Sequence, residues 1–177
     1  MTDKAITIRT GTSTDNVLLA EMGARTFYDT FAKDNTPADI AAYLAASFSP
    51  AKQADELADP ANTFLIAEIE GIPVGYVRLH LSPPSSAITG IQPIEIVRFY
   101  SDQQWIGHGV GAALMSACLG FAIQKGCDTI WLDVWEHNPR AISFYRKWGF
   151  TVVGSQTFQL GSDLQNDLLM LRKVAPG

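Results

Sequence analysis

The chain has 177 residues, 47% of them hydrophobic, and a formal net charge of −5. That is enough apolar material for a single domain over 1–177 and too little for two ordinary ones. No run of about 18 apolar residues occurs, and Met1 Thr2 Asp3 Lys4 Ala5 lacks the basic and apolar regions of a secretion signal, so a cytoplasmic protein with no membrane partner is expected. The acidic balance argues against nucleic acid as a partner and suits a cationic substrate. Cys118 and Cys127 are too few for a disulfide framework or a cysteine zinc site.

In chain order, Ala5 to Arg9 alternates as a short strand, and Ser13 or Asp15 can cap a helix carrying Val17, Leu18, Met22, Phe27 and Phe31. Thr36 Pro37 supplies a cap and a first-turn proline for a second helix through Ile40, Tyr43, Leu44 and Phe48. Phe64 to Glu70 and Val74 to Leu81 read as a hairpin around Gly71 Ile72 Pro73, with a polar loop from Ser82 to Gly90 before the strand Pro93 to Tyr100. A helix to about Lys125, a strand Thr129 to Trp135, a helix Asn138 to Lys147 and strands near Phe150 to Phe158 and Leu168 to Lys173 complete the order β-α-α-β-β-β-α-β-α-β-β.

The most informative stretch is Gln104 to Ala112, Q W I G H G V G A, which runs into a helix. Gly107, Gly109 and Gly111 carry no Cβ, so the backbone can approach an anion and aim N–H groups at it. The positive end of a helix dipole adds to that, and the pattern reads as a pyrophosphate cradle. The alternative, glycines used only for packing, leaves their cost in helix propensity unexplained.

A second constellation runs from Trp131 to Phe150. Asn138 caps, Pro139 takes the first helical position and Gly149 ends the helix, all structural roles. Tyr145 lies two turns beyond Asn138 on the same face, where its phenol is presented beside the end of the preceding strand.

Gln104 x x Gly107 x Gly109, followed by N P x A x x F Y x x x G F, resembles the GNAT acetyltransferase superfamily over nearly the whole chain. Thr26 Phe27 Tyr28 Asp29 Thr30 Phe31, Ala42 Tyr43 Leu44 and Trp131 to Glu136 are further similar to its bacterial spermidine/spermine N-acetyltransferase branch. The resemblance implies an α/β (α+β) fold, with a mixed, mostly antiparallel sheet splayed at its centre. It implies acetyl transfer from acetyl-CoA to a primary amine, with a homodimer through the terminal strands as the family's expectation.

Carried over residue by residue, Phe99, Tyr100 and Ser101 match the strand whose backbone bonds the pantetheine amides. Gln104, Gly107, His108, Gly109, Val110, Gly111 and Ala112 match the pyrophosphate loop, and Asn138 matches a residue near the sulfur end. Tyr145 matches the usual general acid for the departing thiolate. Gln104 stands where the family often has arginine, which removes one charge contact.

An alkylammonium has a pKa of about 10.4, so a base or a desolvating pocket must strip its proton before it attacks a thioester. Glu95, on the strand entering the splay, is the candidate base, with a surface ion pair as its alternative. Tyr28, Asp29, Trp135 and Glu136 are candidates for the amine pocket, since aromatic faces and carboxylates both favour a cation. His80, His108 and His137 lack metal-ligand spacing, and no metal is expected.

Two other readings stay open. Gly107 x Gly109 x x Ala112 also fits a relaxed dinucleotide fingerprint, with Asp133 ending a strand 26 residues after Gly107. Only 65 residues follow Ala112, too few for the repeated βαβ units that such a fold wants. The other is a non-catalytic acyl-CoA-binding sensor, against which Tyr145 argues. Among enzymes the acceptor is equally open: a polyamine, amino acid, aminoglycoside, lysine side chain or protein amino terminus presents the same amine.

Overall fold

The computed structural model describes residues 4–81 and 86–175. Its elements are β1 (Ile6–Thr10), α1 (Asn16–Phe31), α2 (Pro37–Ser47), α3 (Pro50–Ala58), β2 (Asn62–Ile69), β3 (Ile72–His80), β4 (Pro93–Ser101), α4 (Val110–Gln124), β5 (Thr129–Trp135), α5 (Pro139–Lys147), β6 (Thr151–Leu160) and β7 (Asp163–Lys173). The seven strands form one sheet in the order β1-β2-β3-β4-β5-β7-β6. Every neighbouring pair is antiparallel except β4 and β5. Among the described residues no helix is long and apolar enough to cross a membrane.

Two of the expected caps are in place, whereas Asp15 stands at the start of α1 without a capping bond, its carboxylate accepting from the Arg9 guanidinium at 2.9 Å instead. Thr36 Oγ1 accepts from the Asp39 N–H at 3.2 Å, with Pro37 in the first turn of α2, and Asn138 Oδ1 accepts from the Ala141 N–H at 3.3 Å. The element order differs from expectation by one helix, α3, which follows α2 after a two-residue break. Ser49 caps it by accepting from the Lys52 N–H at 3.1 Å. The first hairpin turns at Glu70 and Gly71, both with positive φ, so Ile72 and Pro73 belong to β3 rather than to the turn. β7 begins at Asp163, five residues earlier than expected, because it pairs with the full length of β6. Of the expected loop from Ser82 to Gly90, residues 82–85 lie outside the described residues.

Alternation along the strands sends side chains to two cores. On one face, α4 buries Val110, Leu114, Met115 and Cys118 against Val77, Leu79, Ile94, Ile96, Ile130 and Leu132. On the other, α1 lays Leu19 and Met22 on Phe64, Ile66 and Tyr76, while Phe27, Ile40, Phe48 and Leu160 pack beside them.

Two irregularities open the middle of the sheet. β4 and β5 pair only from Pro93↔Thr129 to Ile96↔Leu132, and each then runs on, unpaired with the other, to Ser101 and Trp135. Where they part, the β3–β4 register steps from Arg78↔Arg98 to Leu79↔Ile96 and leaves Val97 without a partner. A bulge of this kind bends the strand and frees backbone groups.

Candidate active site

The split leads into a cavity of about 780 Å³ that passes from one face of the sheet to the other. On the α4 side it is lined by Ile106, Gly107, Gly109, Gly111, Ala112, Asn138 and Tyr145. In the split it meets Val97, Phe99, Tyr100 and Ser101, and beyond it Asp29, Phe31, Tyr43, Asp133, Trp135, Phe158 and Asp167.

The glycine turn is built as its sequence suggests. Gly107 and Gly109 have φ of 84° and 87°, a left-handed conformation that side chains resist. Gly109 caps α4, and its carbonyl accepts the Ala113 N–H at 3.0 Å. The N–H groups of Val110, Gly111 and Ala112 precede that first intrahelical bond, so the positive end of a 15-residue helix faces the cavity without internal partners. A Cβ on Gly111 would lie 3.3 Å from the Phe144 ring, so that glycine also allows α4 and α5 to approach.

Tyr145 is buried among Phe99, Phe144 and Phe150, at ring separations of 6.0, 5.5 and 5.8 Å. Its hydroxyl has no hydrogen-bond partner among the described residues, although the cavity reaches the side chain. Burial, with the Cys118 sulfur and the charge of Asp133 nearby, raises its pKa above the ordinary phenol value and keeps it protonated. Ser101 Oγ is also buried at the cavity wall without a partner among the described residues.

Glu95 does not line the cavity. It lies on the face opposite α4, where burial and the charge of Asp133, offset in part by Arg78, push its pKa up to about 7. Of the amine-pocket candidates, Asp29 and Trp135 line the cavity, whereas Tyr28 is 55% exposed and away from it. Glu136 is exposed and accepts from Asn166 Nδ2 at 3.2 Å. Gln104 and His108 are exposed on the turn with no side chain toward the cavity, and the Val110 side chain is core, leaving only its backbone for the cradle.

Sequence reasoning passed over Asp167 and gave Asp133 only the dinucleotide reading. Both line the cavity on the α1 side, in an aromatic surround where Phe31 and Trp135 meet edge to face at 5.7 Å and Tyr43 meets Phe158 at 5.5 Å. The signal was present: Asp133 alternates with Trp131 and Trp135 in an otherwise apolar strand, and Asp167 opens an apolar run. Among the described residues no group of three or more His, Cys, Asp or Glu side chains is arranged to hold a metal ion.

Comparison with known proteins agrees with this geometry. Residues 24–150 match the model of the Acetyltransferase (GNAT) family. An uncharacterized N-acetyltransferase of Mycobacterium bovis is 35% identical over 161 residues, covering 91% of this chain and 99% of the relative. A spermine/spermidine N(1)-acetyltransferase of Bacillus subtilis is 28% identical over 90 residues, covering 50% of this chain and 59% of the relative. The crystal structure of the PaiA N-acetyltransferase of Thermoplasma acidophilum, in complex with coenzyme A, superposes with a TM-score of 0.77 at 21% identity, over 96% of this chain and 99% of that one. The chain belongs to the acetyltransferase (GNAT) family.

Proposed function

We propose that the protein transfers an acetyl group from acetyl-CoA directly to a primary amine of a small cationic molecule, with a polyamine such as spermidine or spermine as the preferred acceptor. The observation that carries this reading is that the α4 amino terminus and Tyr145 on one face, and an acidic, aromatic chamber on the other, share one cavity through the split between β4 and β5.

Acetyl-CoA fits the residues present. The free N–H groups of Val110, Gly111 and Ala112 suit a pyrophosphate, and the unpaired edges at Phe99, Tyr100 and Ser101 suit the amides of its arm. Bound there, acetyl-CoA supplies an activated acyl carbon. The backbone N–H groups at the Val97 bulge are positioned to polarise a carbonyl. Tyr145, kept protonated, donates to the departing thiolate. Glu95, the base candidate offered by the sequence, is held at about 7, but it does not line the cavity and so does not meet the amine directly.

The partial likeness to the Bacillus subtilis spermine/spermidine enzyme supports the polyamine, as do Asp29 and Trp135 on the cavity wall. The test is steady-state CoA release from saturating acetyl-CoA with spermidine, spermine, amino acids, an aminoglycoside and a lysine peptide. The highest kcat/KM for a polyamine is expected. Turnover with another amine alone removes the polyamine and keeps the transfer, whereas acetyl-CoA binding without turnover for any amine favours a sensor.

A further inference from the structure

We propose that Asp133 and Asp167 form the site that holds the acceptor's ammonium group and takes its proton, so that the acceptor is an aliphatic amine entering as a cation between Phe31, Tyr43, Trp135 and Phe158. The inference rests on the transfer reading above and deepens it.

Asp167 is 6% exposed, lines the cavity, and its Oδ1 is sealed from solvent with no hydrogen-bond donor among the described residues. A buried carboxylate oxygen without a donor costs free energy unless a ligand supplies one. Asp133 lies within hydrogen-bond reach of the Asp167 carboxyl, so the two can share a proton, and it accepts from Gln156 Nε2 at 3.1 Å; among the described residues neither acid is paired with a cation. The arginines of this face are already engaged: Arg98 with Glu56 at 2.7 and 3.0 Å, and Arg78 with Glu56 at 3.3 Å.

The other charged or titratable groups on the cavity wall include Tyr43 on α2, Asp29 on α1, Lys33 and Asp34 in the turn after it, His137 after β5, and Arg140 and Tyr145 on α5, with Glu95 and Glu136 outside the lining but near the two acids. Lys33 and Arg140 are both exposed, which leaves the inner wall to the acids. Burial, the adjacent Asp133 and the charge of Glu136 raise Asp167 toward neutral pH, which makes it a better proton acceptor than an ordinary aspartate. The walls are aromatic, the surface that best receives an alkylammonium and its methylenes.

Position supports the chemistry. Asp133 is the first β5 residue past the last β4 pairing, so it sits at the fork, and its charge is felt by both Glu95 and Tyr145. In the proposed step an ammonium N–H bond breaks and its proton passes to the Asp167 carboxylate. The freed lone pair forms the C–N bond at the thioester carbon. When the C–S bond breaks, Tyr145 gives its proton to sulfur and regains one from the nitrogen, and the proton on Asp167 leaves to solvent with the product.

The test combines Asp167→Asn, Asp133→Asn and Glu95→Gln, titrated calorimetrically as CoA-saturated proteins with spermidine, 1,4-diaminobutane, n-butylamine and uncharged 1,4-butanediol. Removing a charged hydrogen-bond partner should weaken amine binding by about 10- to 100-fold in both aspartate variants, without changing CoA affinity, and the diol should not bind. Tm should rise in Asp167→Asn, because an amide beside Asp133 removes repulsion and adds a donor; a purely structural acid would lower it. Where turnover is measurable, the acid limb of kcat/KM should vanish in Asp167→Asn and persist in Glu95→Gln. Wild-type amine affinity in Asp167→Asn, a lowered Tm with the lost affinity, or no amine binding to wild type at millimolar concentration overturns the proposal. Amine binding that depends on Asp167 without turnover of any amine leaves this site standing and removes the transfer reading.

Discussion

Arg98 of β4 grips Glu56 of α3 through two hydrogen bonds, Nη1 to Oε2 at 2.7 Å and Nη2 to Oε1 at 3.0 Å, with side chains only 9% and 7% exposed. Gln53 Oε1 accepts from the same guanidinium at 3.3 Å, and the Phe48 ring lies 4.9 Å from its carbon. This pair fastens α3 to the sheet and cancels the one buried cation at the cavity wall among the described residues, so the field in the chamber is set by Asp133 and Asp167.

Breaking that pair from the carboxylate side strands a buried cation. Glu56→Gln is expected to cost about 3–5 kcal/mol in urea denaturation, while Glu56→Gln combined with Arg98→Met recovers most of the loss because no charge is left unpaired. A single variant as stable as wild type would show that water reaches Arg98 freely.

The same helix marks the limit of what the sequence shows. Ser49 Pro50 carries the cap-and-proline signature that revealed α2 at Thr36 Pro37. The difference is that α3 turns Gln53 and Glu56 inward, so the apolar periodicity that exposes most helices is replaced by buried polar groups whose partners are on β3 and β4. The glycine turn and the Asn138 to Gly149 helix were legible because their constraints are local: positive φ, a cap, a first-turn proline. The chamber was not. Asp133 and Asp167 meet only because β5 and β7 pair antiparallel, and Val97 falls in a bulge that is a property of two strands rather than of one.

The left-handed turn gives a direct check on the donor site. Alanine at Gly109 must hold φ near 87°, which costs about 1–3 kcal/mol for a residue with a Cβ. Where the turn relaxes instead, the N–H groups of α4 lose their aim. Acetyl-CoA affinity should fall by about 5- to 100-fold in calorimetry, with amine affinity unchanged. Gly107→Ala should behave alike, since its φ is 84°.

Stability should depend on pH in an unusual direction above pH 5. The folded state raises Glu95 from 4.5 to about 7, so between those values it binds more protons than the unfolded chain, and stability falls as pH rises through that window. Asp167 acts in the same sense. Asp15, Asp39 and Asp128 act oppositely: Arg9, Ser162 and the Ile91 and Gln92 N–H groups respectively lower them, so their contribution is present above about pH 4 and is lost on acidification. Denaturation midpoints should therefore be highest near pH 5 and decline toward pH 8. In Glu95→Gln that decline should shrink, and an unaltered decline would show that burial of Glu95 is not its cause.

Tyr145 separates chemistry from binding. Its hydroxyl bonds no described residue, so Tyr145→Phe removes only a polar atom at the cavity wall and should leave Tm and acetyl-CoA affinity near wild type. A positioned acid contributes about 10²–10⁴-fold to a rate, and kcat should fall by at least the lower figure. Because burial, Cys118 and Asp133 all raise the phenol, wild-type kcat should show no loss of this acid up to pH 10. Pre-steady-state CoA release distinguishes the remaining case: unchanged kcat with a burst in wild type that slows in the variant would mean that product release, not thiolate protonation, limits turnover.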